Sequence, residues 1–159
     1  MANIVIFGNS GAGKSTLAKR LADSHQLAHL DLDTIAWLPT SPPQRMSLDQ
    51  SSVTINEFVK GHKNWVIEGC YSDLLSIVLP YASEIIFLNL PIADCISNAK
   101  KRPWEPHKYA SKAEQDANLA MLIDWIAQYT ERQDTFSYHA HRALFDEFVG
   151  DKKEITSNR

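Results

Sequence analysis

Cysteine is scarce: Cys70 and Cys95 are the only two in 159 residues. Their wide spacing fits neither a Cys-x-x-Cys redox pair nor a zinc knuckle, so both are read as buried free thiols. Positive charge is also in short supply. With 16 Lys and Arg against 19 Asp and Glu, the formal charge of -3 gives no bulk attraction to nucleic acid. No apolar run approaches the roughly 18 residues that cross a bilayer. The amino terminus enters a strand at once, without the basic, apolar, small-residue order of a secretory signal, and a cytoplasmic protein is expected. There is no internal repeat, and Ser41-Pro42-Pro43 is the only low-complexity patch. Nucleotide motifs are missing too. No Asn-Lys-x-Asp or Asp-x-x-Gly is present, which counts against a GTPase; no Leu-Ser-Gly-Gly is present, and the chain is short for an ABC or AAA-type motor. The length suits one domain spanning 1–159.

What the chain does have begins at Gly8 to Thr16, GNSGAGKST. Before it lies a short apolar, β-branched run, Asn3 to Phe7; after it, Ser15 to Ala22 has helical periodicity. A glycine loop joining strand to helix is the setting of a P-loop, and Gly8, Gly13, Lys14 and Ser15 fill the fixed positions of Gly-x-x-x-x-Gly-Lys-Ser/Thr. The alternative is a structural turn with a surface lysine. Chance supplies the four fixed positions in roughly one chain of this size in a few hundred, before any flanking strand and helix are required. Gly8, Asn9, Ser10, Gly11, Ala12 and Gly13 are therefore expected to curl round an anion with their N–H groups inward, assisted by the positive end of the helix. Lys14 would reach the β- and γ-phosphates, Ser15 would bind Mg2+, and Thr16 completes the nucleotide-binding run. ATP and Mg2+ are the cofactors this implies.

Further strands are expected over Ala28 to Leu32, Trp65 to Glu68, Glu84 to Leu90 and the terminal KKEITSNR, with helices over 48–60, 73–81, 92–101, 112–130 and 137–149. That alternation predicts an α/β fold: a three-layer α/β/α P-loop NTPase with a five-stranded parallel sheet and a lid insertion. The Pro- and Ser-rich stretch from Leu38 to Ser47 and the following helix form an insertion over a pocket, about 38–62. In the long helix Ala117, Leu119, Ala120, Leu122, Ile123, Ile126 and Ala127 give a broad apolar face, expected to be core.

A Mg2+–nucleotide needs a carboxylate near the P-loop hydroxyl, and Asp31, Asp33 and Glu68 stand at strand ends. Strand alternation would put Asp31 and Asp33 on one side, where they repel unless a cation or donor lies between them. That one of the two, Asp33 ahead of Asp31, caps the segment Thr34 to Leu38 is the other reading, and a solvated turn is that of Glu68. Lys100, Lys101 and Arg102 open an interruption bounded by Pro103 and Pro106. Either this is a solvated charged face or a lid, about 100–112, that brings cations over the transferring phosphate. Arg132, Arg20 and Arg45 are further candidate cations. His139 and His141, two apart on a helix, point away from each other and make no metal pair.

GNSGAGKST, Asp33 with Trp37 four residues on, WVIEGCYS and IIFLNLP together resemble the small P-loop kinases related to adenylate kinase, most closely the group known as DNA topology modulation proteins. The resemblance spans nearly the whole chain. It implies an ATP-dependent phosphotransferase, nucleoside monophosphate kinase-like, acting on a small acceptor: Lys14, Asp33, Arg102 and Arg132 catalytic, Asp33, Trp37, Arg45, Gly69 and Tyr71 at the acceptor, and Ser15, Asp31 and Glu68 toward the metal. Glu68-Gly69 stands where adenylate kinases carry Asp-Gly, and Asn98 stands where relatives often place another Arg. Those two departures keep open a second expectation, a nucleotide-binding regulatory protein that transfers nothing. The DLD pair is similar to that of shikimate kinase, but Gly69-Cys70-Tyr71 replaces its Gly-Gly-Gly, so shikimate is disfavoured as acceptor.

Overall fold

The structure, a computed structural model, describes residues 2–40 and 43–158. Five strands form one parallel sheet: β1 (Asn3–Gly8), β2 (Ala28–Asp31), β5 (Trp65–Gly69), β6 (Glu84–Leu88) and β7 (Asp151–Ile155). Their order is β2-β5-β1-β6-β7, so β1 sits in the middle with its carboxyl end open to the loop that follows. A small antiparallel pair, β3 (Trp37–Leu38) with β4 (Gln44–Arg45), lies apart from it.

Alternation along β1 explains the three layers. Ile4 and Ile6 point to one face, where they meet Ala18 of α1 (Lys14–His25), Cys95 and Ala99 of α4 (Ile92–Lys101) and Ile126 of α5 (Lys112–Ala127). Val5 and Phe7 point to the other, against Ile55 of α2 (Leu48–Gly61), Leu74 and Leu75 of α3 (Ser72–Val78) and Leu144 and Phe145 of α6 (Tyr138–Glu147). Each fully buried aliphatic side chain contributes about 1.5–3 kcal/mol, and β1, β5 and β6 carry most of them. Three helices start on a serine whose hydroxyl accepts a backbone N–H: Ser47 from Gln50, Ser111 from Glu114 and Ser137 from Ala140.

The structure departs from expectation in four places, each for a local reason. First, β2 stops at Asp31; Leu32–Thr34 is a 3-10 turn, and Asp31 is its cap, accepting the Asp33 N–H at 2.9 Å. Of the two carboxylates weighed as a cap, Asp31 and not the favoured Asp33 is the one that caps, and the pair is brought together by a turn rather than by strand alternation. Second, α5 ends at Ala127, and its apolar face is narrower than expected: Ile126 is buried and Leu119 and Leu122 pack against the same core, whereas Ala117, Ala120 and Ala127 are exposed. Third, β6 ends at Leu88 and β7 at Ile155, short of the apolar or terminal residues beyond them. Fourth, the 73–81 helix is α3 followed by a separate 3-10 turn, Leu79–Tyr81, with Pro80 within that turn.

The two thiols are buried, as expected. Burial pushes Cys70 up to about 12 and Cys95 up to about 11, which makes both inert near neutrality. His141 is buried as well. Its Nε2 donates to the Cys70 carbonyl at 2.8 Å, which leaves Nδ1 to accept from the Tyr129 hydroxyl at 2.7 Å. Burial lowers its pKa to about 4, so it is a neutral structural histidine. No helix among the described residues is long and apolar enough to cross a membrane.

Candidate functional site

The P-loop leaves β1 at Gly8 and returns as the first turn of α1. Gly11 and Gly13 both have the left-handed backbone that favours glycine. Gly11 has φ +80°, and a Cβ there would lie 2.3 Å from the backbone oxygen of Cys95; Gly13 has φ +92° and forms the N-cap of α1. Asparagines hold the loop from outside. Asn98 Nδ2 donates to the Gly11 carbonyl at 2.8 Å, Asn158 Nδ2 to the Ala12 carbonyl at 3.1 Å, and the two asparagines meet each other at 2.8 Å. The position read as a missing arginine therefore braces the P-loop. Ser10, Gly11, Gly13, Lys14, Ser15 and Thr16 line one large cleft of about 1770 Å3. Asn9 and Ala12 are buried beneath it, the Asn9 amide donating to the Ile126 carbonyl at 3.2 Å. Lys14 Nζ rests on the Asn9 carbonyl at 2.8 Å.

At the neighbouring strand end the Ser15 hydroxyl donates to Glu68 Oε1 at 2.9 Å. Glu68 is buried, and His29 Nε2 lies 2.8 Å from its other oxygen. The register places Glu68 beside Ile6 of β1 and Asp31 of β2, which is how a residue 53 positions away reaches the loop. A hydroxyl and a carboxylate side by side are hard oxygen donors of the kind Mg2+ takes alongside water and phosphate oxygens. Among the described residues no group of three or more His, Cys, Asp or Glu could hold a metal unaided. Asp31 stands further back. Burial, then Glu68 and Asp33, raise its pKa above the ordinary carboxylate range.

The cation needed between Asp31 and Asp33 is Lys108. Its Nζ lies 2.7 Å from Asp33 and 3.9 Å from Asp31, with Glu105 at 3.5 Å. Burial opposes ionisation of Asp33, but Lys108, the Tyr71 hydroxyl and Lys14 outweigh it and hold the carboxyl below its usual value. Lys108 in turn is raised: burial works against its charge, and Asp33 and Asp31 overcome that. The sequence reading stopped at Arg102 and missed this lysine, although it lies in the same KKRPWEPHKY interruption. Gln115 frames the segment, accepting the Glu105 N–H at 2.8 Å and donating to the Pro103 carbonyl at 3.0 Å. Arg102 lines the cleft and pairs with Glu105 at 3.4 Å.

Of the residues expected to meet an acceptor, Asp33, Trp37, Gly69 and Tyr71 line the cleft. Trp37 Nε1 donates to the Tyr71 hydroxyl at 2.8 Å, and that hydroxyl donates to Asp33. Arg45 is placed behind this wall. Its guanidinium is held by Asp73 at 3.1 Å and 3.3 Å and lies 4.9 Å from the Tyr71 ring centroid. Arg132 is likewise set back: it stacks 4.0 Å from the Trp125 ring centroid, with Asp134 at 3.8 Å. All three of its guanidinium nitrogens are buried without a hydrogen bond among the described residues. Trp125 and Phe136, unflagged by the sequence reading, complete the lining.

Comparison with known proteins agrees with this fold. A family model described as an AAA domain matches residues 4–119. A curated relative, the uncharacterized protein YqaC of Bacillus subtilis (strain 168), is 32% identical over 137 residues, covering 80% of this chain and 72% of its own length. Among solved structures, a gluconokinase from Sinorhizobium meliloti 1021 matches with a TM-score of 0.51 at 13% identity, over 98% of this chain and 83% of that one. At that identity the likeness concerns the fold, a parallel sheet flanked by helices.

Proposed function

Because the chain belongs to the AAA domain family, matched over more than half its length, we propose that it is an ATP-dependent phosphotransferase acting on a small acceptor. The observation that carries the reading is the Ser15–Glu68 pair at one end of a cleft whose other end presents Asp33. In this reading the triphosphate lies along the loop from Ser10 to Thr16, with Lys14 released from the Asn9 carbonyl to the phosphates. Ser15 and Glu68 would hold Mg2+, which neutralises phosphate charge when bound. Asp33 orients the acceptor hydroxyl. Arg102 meets the transferring group from the lid, and Arg132, ion-paired with Asp134 but making no hydrogen bond among the described residues, is the second cation assigned to it. A cytoplasmic setting goes with this activity.

Both features behind the inert alternative have structural roles compatible with turnover: Asn98 braces the loop and Glu68 takes the Ser15 hydroxyl. Titration with ATP, with and without Mg2+, tests the first half. Lys14→Ala should lose at least about 10-fold in affinity, and equal binding by the variant ends the proposal. ADP release across hydroxyl acceptors tests the second half. With a productive acceptor, Arg102→Ala should lower kcat about 10²-fold while ATP affinity stays nearly intact.

A further inference from the structure

The acceptor end of the cleft has a chemistry of its own, and from it we infer the class of acceptor: an uncharged alcohol carrying a flat ring, of the nucleoside class. The inference rests on the phosphotransferase reading. Its first support is shape. Trp37, Tyr71, Phe136 and Trp125 form an unbroken arc of edge-on ring contacts, with centroids 6.4 Å, 5.3 Å and 5.4 Å apart in turn. All four line the cleft, and Trp37 keeps 40% of its surface exposed. Flat faces of this kind gain most from a flat ring laid against them.

Charge is the second support. An acceptor that already bears a phosphate or carboxylate needs a cation, and the cations near this end are committed. Arg45 is held by Asp73 behind the rings. Lys108 is shared among Asp33, Asp31 and Glu105, so three carboxylates surround one ammonium. Arg132 is ion-paired with Asp134, and the reading above reserves it for the transferring phosphoryl group. An anionic acceptor set beside Asp33 would face three carboxylates against one ammonium, with like-charge repulsion to overcome. A cationic one would have to displace Lys108 from Asp33. A neutral hydroxyl needs neither: it donates to a lone pair that the Asp33 carboxylate still has beside those taken by Tyr71 and Lys108. Polyols fit poorly for a different reason. Most of their hydroxyls would lie against ring faces and go unpaired.

The transfer balances on these groups. The acceptor hydroxyl oxygen forms a bond to the γ-phosphorus as the bond from that phosphorus to the β–γ bridging oxygen breaks; ADP leaves, and the hydroxyl proton passes to Asp33 and then to solvent.

The test uses the full chain with MgATP, reading ADP release with adenosine, guanosine, cytidine, uridine and thymidine, with their 5′-monophosphates, and with gluconate and glucose. At least one nucleoside should exceed its own monophosphate, gluconate and glucose by about 10-fold or more in kcat/KM. A preference for a monophosphate, gluconate or glucose overturns the inference while leaving the phosphotransferase reading intact. Should no compound raise ADP release, that reading fails instead, and binding decides the inference. Nucleosides should then quench the tryptophan fluorescence of the ATP-free protein, with Trp37→Leu weakening binding about 10-fold and Trp37→Phe far less. ATP affinity of the variants reports their folding. Absence of quenching by every nucleoside overturns the inference.

Discussion

The two ends of the cleft are built by different means. At the P-loop end the backbone does the work: a glycine that tolerates no Cβ, carbonyls tied back by Asn98 and Asn158, and one lysine resting on its own loop. At the end beside Asp33 side chains do it. Rings from Trp37, Tyr71, Trp125 and Phe136 meet edge to face, and Lys108 is pinned between Asp31 and Asp33. A main-chain cradle recognises what all nucleoside triphosphates share, whereas a side-chain wall can be respecified one residue at a time. The comparison predicts that damage at the first end costs folding or ATP binding, and damage at the second costs acceptor use.

The strongest test of the backbone end is Gly11→Ala. A Cβ would sit 2.3 Å from the Cys95 carbonyl oxygen, at a φ of +80° that L residues rarely adopt. Neither partner is a flexible side chain, so the loop or α4 must shift. Thermal or urea unfolding should show a loss of about 3 kcal/mol or more, with ATP binding impaired. A near-neutral effect would mean that the loop is far softer than its contacts indicate.

At the other end the largest effect is expected from Lys108→Met. Removing the ammonium takes away the main influence that lowers the Asp33 pKa, so burial and Asp31 should raise it. The acid limb of the kcat profile should therefore move to higher pH, with kcat about 10-fold down at its acidic end and recovering as pH rises. A uniform fall at every pH would instead point to a structural loss.

The acceptor wall also has a pH limit that the P-loop lacks. His141 holds the Cys70 carbonyl next to Tyr71 and is neutral when folded, with a pKa lowered by burial to about 4. Between the ordinary value of 6.5 and about 4 the unfolded chain binds a proton that the folded one refuses. Stability from this group is complete above that window and falls as pH drops through it, by about 1.4 kcal/mol per pH unit. Urea unfolding at pH 6.5 and pH 5 should differ by roughly 2 kcal/mol from this source. His141→Gln should be less stable at the higher pH but lose that slope.

These contrasts also explain what the sequence made legible. β1, β5 and β6 were readable because each is a short apolar run stopped by Gly or Pro, and α4 matches its expected bounds, Ile92–Lys101. The P-loop was readable because local spacing encodes it. Lys108 escaped notice because its meaning depends on Asp33, 75 positions earlier, and the same holds for the Trp125–Phe136 wall and the Arg45–Asp73 pair. The core face of α5 was legible at Leu119, Leu122 and Ile126 but read too broadly, because alanines at apolar spacing look the same whether they are buried or exposed. Asp31 and Asp33 faced one region as expected, but only the 3-10 turn explains how.

The smallest predicted effect separates bracing from charge at Asn98. If the residue were a degraded arginine site, restoring the cation with Asn98→Arg should improve turnover, and Asn98→Ala should be silent. The geometry argues otherwise. The amide spans two acceptors, Gly11 O and Asn158 Oδ1, both at 2.8 Å, and a guanidinium is too large to replace it without pushing Asn158 off the Ala12 carbonyl. Asn98→Ala should cost about 1 kcal/mol of stability, the net worth of one such hydrogen bond, and weaken ATP binding by only a few-fold as the loop loosens. Asn98→Arg should weaken it more. Calorimetric ATP titration of both variants orders them, and tighter binding by Asn98→Arg than by the parent would assign the position to the phosphates rather than to the loop.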